Sequence, residues 1–139
     1  MNIRIMTIYD YEKVFNLWIG IEGMGLNSVD DSKDGILKYL SRNPSSCFVA
    51  ERDEKIVGVI MSGHDGRRGF VYHLSVSEPE RNHGVGSSLL SHALAALEKE
   101  GISKVALVVF SDNYLGNNFW SNNGFIKRED LFYRNKNIN

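Results

Sequence analysis

The strongest constraint on the fold is the stretch 70–110, which reads as a strand, a glycine-containing loop, a helix and a second strand. Residues 70–76 and 105–110 are apolar runs, and residues 89–97 repeat apolar side chains at helical spacing. Two strands joined by one helix indicate a right-handed crossover and parallel pairing. We therefore expect these two strands to belong to one sheet.

The loop between the first of these strands and the helix is a candidate anion site. The first N–H groups of a helix have no partner inside it and lie at its positive end. Gly84 and Gly86 let the backbone approach a bulky anion without a Cβ in the way, and Arg81 adds a positive charge. A dinucleotide site would need a small residue at Leu89, and a P-loop would need a Gly-Lys-Ser/Thr sequence. Another phosphate cradle and a purely structural turn remain as alternatives.

Outside this stretch the chain predicts three more helices and five short strands. The helices are the segment 9–19, a shorter segment that ends before Asn43, and the segment 114–122. The strands are 3–5, 47–51, 56–61, 125–127 and 131–133. The second and third of these strands are spaced as an antiparallel hairpin, and Gly58 inside the third indicates a bulge or a close backbone approach.

Two helix starts carry capping patterns. Thr7 with Asp10 precedes the first helix, and Ser28 with Asp31 precedes the second. The acidic residues near the start of the second helix have two interpretations. They could stabilise the helix through its dipole, or they could attract a cationic amine. We favour the dipole interpretation for these residues, Asp30, Asp31 and Asp34.

Composition limits the class of protein. The 139 residues are 42% apolar and 24% charged, which favours one packed globular domain over 1–139. The net charge of −1, without a Lys/Arg cluster, argues against a nucleic-acid partner. No apolar run reaches the roughly 18 residues of a membrane span, and no signal-peptide pattern is present, so we expect a cytoplasmic protein. The single cysteine, Cys47, lies in a strand pattern and predicts a buried inert thiol, and no residue cluster predicts a metal site.

Several motifs occur together in a family-specific order. The run 74–76 is followed by the loop 81–86, then by Asn113, and then by the segment 119–125. In this combination the chain resembles the GNAT superfamily of acyl-CoA-dependent N-acetyltransferases over nearly its whole length.

The resemblance implies an α/β (α+β) fold with a mixed, mostly antiparallel twisted sheet and helices on both faces. The sheet would splay into a V between its fourth and fifth strands, here residues 70–76 and 104–110. Acetyl-CoA, the co-substrate, would enter the V with its pantetheine arm along the fourth strand. No metal is implied.

The resemblance also implies roles for individual residues. The N–H of Leu74 would polarise the thioester carbonyl, Val76 would bond the pantetheine, and Asn113 would contact it. Trp120 would lie at the cofactor. The pyrophosphate would be held by the loop and helix start, namely Arg81, Asn82, His83, Gly84, Val85, Gly86 and Ser87.

Two positions depart from the family pattern. Trp120 stands where many members carry a tyrosine that protonates the departing thiolate, and an indole N–H does not ionise at useful pH. Val108 stands where relatives that acetylate protein N-termini carry a glutamate base. The candidate bases here are Tyr72 and His73. Since side chains alternate along a strand, we expect only one of them to face the acceptor, and we favour Tyr72.

We therefore expect an N-acetyltransferase that transfers the acetyl group of acetyl-CoA to a primary amine of a small molecule or peptide by direct attack. Catalysis would rest chiefly on the Leu74 amide and on positioning. The alternative is a non-catalytic CoA- or acyl-CoA-binding module of the same fold. Trp18 and the glycine-containing loop 20–27 would line the acceptor side, unless Trp18 belongs to the core. Members of the family are often dimers, which makes a homodimer an option.

Overall fold

A mixed sheet of five strands is the frame of the computed structural model, which describes residues 1–139. The strands are β1 (Asn2–Ile5), β2 (Phe48–Arg52), β3 (Lys55–His64), β4 (Gly69–Val76) and β5 (Val105–Ala106). They lie in the order β1-β2-β3-β4-β5, antiparallel from β1 to β4 and parallel between β4 and β5. The expected mixed, mostly antiparallel sheet is thus confirmed, including the parallel crossover.

Four α-helices accompany the sheet. They are α1 (Tyr11–Ile19), α2 (Lys33–Arg42), α3 (Val85–Lys99) and α4 (Tyr114–Asn122). The predicted Thr7–Asp10 capping pattern is confirmed at a 3₁₀ turn (Ile8–Asp10) that leads directly into α1, where the Thr7 N–H donates to Asp10 Oδ2 at 2.9 Å. The second cap lies later than predicted. Ser32, not Ser28, caps α2, its Oγ accepting from the Gly35 N–H at 3.0 Å, while the Asp31 side chain has other partners.

Contacts divide the chain into two units, Met1–Leu107, which holds the sheet with α1, α2 and α3, and Val108–Asn139, which holds α4. The organisation as one domain over 1–139 stays a prediction. The strands predicted at 125–127 and 131–133 are not formed. The reason is that no neighbouring strand is hydrogen-bonded to these residues, and an apolar run alone does not make a strand.

The fifth strand is also shorter than the apolar run 105–110 predicts. Pairing with β4 ends after Ala106, and Val108 and Phe110 are 55% and 61% exposed. The continuous apolar run therefore predicted the presence of this strand correctly but not its length.

Helices cover both faces of the sheet. On one face, the Phe48 ring of β2 lies 5.4 Å from the His92 ring of α3. On the other face, α1 and α2 pack on residues of β2 and β3. The buried members of this second cluster are Met6, Val14, Trp18, Ile36, Leu40, Cys47, Val49, Ile56, Val59 and Met61.

The α3 helix approaches β3 closely at Gly58. A Cβ at this position would lie 3.0 Å from Leu89 Cδ1 and 3.2 Å from Val85 Cγ1. These contacts are tighter than ordinary van der Waals separation, so a side chain here would push the helix away from the sheet. Of the two alternatives predicted for this glycine, the close approach is confirmed, and the β2–β3 register also shifts beside it, between Ala50 and Glu51. The close approach fixes where the start of α3 lies against the strands.

Replacing Gly58 with valine should lower the free energy of unfolding by about 1–3 kcal/mol, because the added methyl groups overpack the α3–β3 contact. Urea unfolding followed by circular dichroism measures the change. The matched control is Gly20→Val at the exposed end of α1, where the nearest atom to a Cβ is 3.6 Å away. The control should change stability by less than about 1 kcal/mol, and equal losses in the two variants would contradict the close-packing account.

Candidate active site

The β4 strand carries a bulge next to Ile60 of β3. The bulge lies between two regular cross-strand pairs, Met61–Tyr72 and Val59–Ser75. Two residues of β4, His73 and Leu74, therefore face one residue of β3. His73 has φ 49°, in the left-handed region that residues other than glycine seldom occupy. An extra residue of this kind interrupts the ladder and releases backbone groups from strand pairing.

The bulge turns two consecutive side chains to the same face of the sheet. The Tyr72 ring lies 5.7 Å from the Tyr39 ring of α2, and the His73 ring lies 5.0 Å from the Trp18 ring of α1. Both helices cover this face. The expectation that alternation leaves only one of Tyr72 and His73 facing the acceptor side does not hold, because the extra residue breaks the alternation.

His73 is paired with Asp31, a residue from the turn before α2. The His73 Nε2 lies 2.8 Å from Asp31 Oδ1, and the Asn27 N–H donates to Asp31 Oδ2 at 2.7 Å. Burial raises the pKa of Asp31, but the hydrogen bonds from His73 and Asn27 outweigh it, so this pKa lies below its ordinary value. Asp31 is therefore an ionised, buried carboxylate at neutral pH.

The turn that carries Asp31 is held to α1 as well. The Tyr11 hydroxyl donates to the Asp31 backbone carbonyl at 2.7 Å. Neither sequence interpretation of Asp31, a charge against the helix dipole or an attraction for an amine, included its bond to His73. No local pattern could have found this pair, since the two residues are 42 positions apart in the chain.

The loop before α3 presents the start of that helix. Gly84, at φ 80°, is the residue before the helix, and no side chain caps this end. The first intrahelical bond runs from the Ser88 N–H to the Gly84 carbonyl at 3.0 Å. The N–H groups of Val85, Gly86 and Ser87 consequently have no acceptor inside the helix and lie at its positive end.

The same loop is tied to the end of β4. The Arg81 Nε donates to the Val76 carbonyl at 2.9 Å, and Asn82 has φ 65°. Three loop residues, Arg81, Asn82 and His83, are exposed. The loop therefore exposes one arginine, Arg81, directly after the bulged strand.

Beyond Phe70, one edge of β4 is open. Its only pairs with β5 are Gly69–Val105 and Phe70–Ala106, so residues 71–76 have no strand partner on that side. This is the expected separation of the fourth and fifth strands. An unpaired edge offers backbone N–H and C=O groups to an extended ligand.

The other predicted site residues lie in the second unit, Val108–Asn139. Asn113 caps α4, its Oδ1 accepting from the Gly116 N–H at 2.9 Å. Trp120 is half-buried, with its ring 5.0 Å from each of the rings of Phe119 and Phe125. Their roles at a cofactor stay predictions.

Two residues singled out in the sequence belong to the core. Burial raises the pKa of the Cys47 thiol to about 12, and its Sγ donates to the Ser62 carbonyl at 3.3 Å. Trp18 is fully buried, and its Nε1 has no hydrogen-bond partner.

No group of three or more His, Cys, Asp or Glu side chains is arranged to hold a metal ion. None of the helices has the length and apolar character needed to cross a membrane.

Comparison with known proteins gives the family. The Acetyltransferase (GNAT) family profile matches residues 11–125. An acetyltransferase of Photorhabdus laumondii is 34% identical over 113 residues, which are 81% of this chain and 78% of the relative. The chain belongs to the GNAT acetyltransferase family and is an acyltransferase.

Solved structures share the fold. Ard1 from Thermoplasma volcanium superposes with a TM-score of 0.77 at 23% identity, covering 88% of this chain and 80% of that one. The PaiA N-acetyltransferase of Thermoplasma acidophilum, solved in complex with coenzyme A, superposes with a TM-score of 0.75 at 21% identity, covering 88% and 87%.

Cys47 should resist alkylation in the native protein. Its thiol is buried and protonated at pH 8, so iodoacetamide should label it only after unfolding in urea. Intact-mass spectrometry with and without urea measures this. Rapid labelling of the native chain, slowed by added acetyl-CoA, would instead place the thiol at the site.

Proposed function

We propose that this protein transfers the acetyl group of acetyl-CoA to a primary amine of a small molecule or peptide. The observation that carries the proposal is the open, bulged edge of β4, which ends at the loop before α3. An extended pantetheine arm pairs with residues 71–76 as an added strand would. The coenzyme A found in the PaiA structure carries such an arm.

The loop and the start of α3 hold the pyrophosphate. A dianion at this end of the helix gains hydrogen bonds from N–H groups that otherwise have no acceptor, together with the field of the helix. Arg81 adds a charge-assisted hydrogen bond. The residues assigned to this role are Arg81, Asn82, His83, Gly84, Val85, Gly86 and Ser87.

The chemical step uses the bulge. The amine nitrogen attacks the thioester carbonyl carbon, and negative charge develops on the carbonyl oxygen before the carbon–sulfur bond breaks. The Leu74 N–H stabilises this oxygen, and one preorganised donor of this kind is worth about 3 kcal/mol in comparable sites. Val76 and Asn113 bond the pantetheine. Trp120 contacts the cofactor, and water returns a proton to the departing thiolate, because an indole is not an acid at this pH.

A non-catalytic CoA- or acyl-CoA-binding module of the same fold is the second candidate. Val108 and Trp120 favour it, since each replaces an ionisable residue that some members of the family carry. Membership of an acetyltransferase family favours transfer over simple binding.

Purified protein incubated with acetyl-CoA and a panel of amines should release free CoA thiol with at least one of them. The panel contains spermidine, tyramine, an aminosugar and a peptide with a free N-terminus, and a thiol-reactive dye gives the rate. Mass spectrometry should then find the acetylated amine. If acetyl-CoA raises the unfolding temperature but no amine gives thiol release above the rate without protein, the protein is the non-catalytic binding module.

Arg81→Gln should weaken CoA binding about 10- to 100-fold, because it removes a charge-assisted hydrogen bond to the pyrophosphate. The matched control is Arg67→Gln in the turn between β3 and β4. This arginine is also exposed, and the variant should bind CoA as the wild type does. Calorimetry with CoA and with acetyl-pantetheine, which lacks the pyrophosphate, separates the two effects. An equal loss for both ligands would mean that Arg81 acts on the strand end through Val76, not on the phosphate.

A further inference from the structure

The Asp31–His73 pair assigns the catalytic base. We propose that His73 Nδ1 takes a proton from the ammonium group of the acceptor and that Asp31 positions the imidazole by holding Nε2. This inference rests on the proposed function, since it names a group that the amine must meet before it attacks. His73 is thus a catalytic residue and Asp31 a positioning residue.

The hydrogen bond to Asp31 fixes which nitrogen is free. An ionised carboxylate only accepts, so the His73 Nε2 that lies 2.8 Å from it carries the proton. In the neutral ring the lone pair then lies on Nδ1. This nitrogen has no partner in the protein, and Trp18 Nε1 is the single buried side-chain nitrogen or oxygen without one. His73 Nδ1 therefore keeps some contact with solvent, on a side chain that is 16% exposed.

The backbone fixes where the imidazole lies. His73 and Leu74 are the two residues of the bulge, so the base directly precedes the N–H proposed to bind the thioester oxygen. The ring rests on Trp18, with ring centroids 5.0 Å apart at an interplanar angle of 65°. A nucleophile activated at this ring is thus next to the carbonyl that it attacks.

The neighbouring tyrosine suits a different task. A phenol has to lose its own proton before it can take one from an ammonium group, whereas a neutral imidazole already has a free lone pair. The Tyr72 ring lies 4.7 Å from Phe70 and 5.7 Å from Tyr39, which makes it part of an aromatic wall beside the bulge. The structure therefore favours His73 over Tyr72 as the base, the reverse of the sequence expectation.

Among the groups that face His73, only one is charged. They are the Asp31 carboxylate, the Trp18 indole of α1 and the Tyr72 ring of β4, with the Tyr11 hydroxyl behind Asp31. The only ion pair of Asp31 is with His73. The imidazolium formed during the reaction is therefore balanced by one buried carboxylate.

The protons balance as follows. The acceptor R–NH₃⁺ gives one proton to His73 Nδ1 and becomes R–NH₂, which forms the carbon–nitrogen bond. The carbon–sulfur bond breaks, its electron pair leaves with sulfur, and the second ammonium proton passes through water to the thiolate. Products are the acetylated amine, CoA thiol and a proton that the imidazolium releases to solvent.

The test compares two amines with different protonation states. One is the cationic amine that gives the highest rate in the panel above, and the other is hydroxylamine, which is largely neutral at pH 7. His73→Gln should lower kcat/KM about 10²- to 10³-fold for the cationic amine and less than about threefold for hydroxylamine, which needs no base. Raising the pH, which deprotonates the cationic amine in solution, should restore much of the lost rate.

Asp31→Asn should show the same selectivity with a smaller loss, about 10-fold, because the imidazole remains but is less well oriented. The matched control is Asp30→Asn, which removes an exposed charge one residue away and should leave both rates unchanged. Calorimetry should give the wild-type affinity for CoA in all three variants, which separates this role from cofactor binding.

Equal losses for both amines in His73→Gln would show a structural role, and no loss for either would show that His73 is not the base. Nitrogen NMR of the wild-type protein gives a second measurement that needs no variant. The neutral ring of His73 should carry its single proton on Nε2, and a neutral ring with its proton on Nδ1 would overturn the assignment. Failure of the wild type to release thiol with any amine overturns the proposed function itself, and the base assignment with it.

Discussion

The bulge in β4 is the constraint on which the rest of the site depends. Because His73 and Leu74 both lie opposite one residue of β3, the regular pairing is interrupted at Leu74, and the side chains of Tyr72 and His73 lie on one face. The left-handed conformation of His73 costs of order 1–3 kcal/mol at such a residue and has to be held by its surroundings. The hydrogen bond to Asp31 and the contact with Trp18 supply that support. The contacts that hold the backbone of His73 are therefore the same contacts that position its ring for the proposed chemistry. They link α1 and the turn before α2 to the site.

Features set by residues close in sequence could be predicted. The Thr7–Asp10 cap, the crossover through α3 and the glycine loop at its start each depend on spacing within one or two elements, and each is present. The close approach at Gly58 could also be predicted, since a glycine inside an apolar strand often indicates a bulge or a close backbone approach. The cytoplasmic location, the lack of a nucleic-acid partner and the option of a homodimer stay predictions from the sequence.

Features set by distant contacts could not be predicted. The pairing of Asp31 with His73 joins a turn to a strand, and its residue types are common at exposed helix starts and in strands. The bulge itself has no signature in residues 70–76, so the alternation rule assigned the wrong relation between Tyr72 and His73. The apolar run 105–110 also predicted too long a strand, because a strand ends where its hydrogen bonds to the neighbouring strand end.

The most direct test is a crystal structure with an acetyl-CoA analogue whose thioester sulfur is replaced by a methylene group. The carbonyl oxygen should lie about 2.7–3.1 Å from the Leu74 nitrogen, with the pantetheine along residues 71–76 and the pyrophosphate on the N–H groups at the start of α3. The acceptor channel should open beside His73 Nδ1. A ligand bound elsewhere, or a carbonyl oxygen that points away from the bulge, would contradict the account.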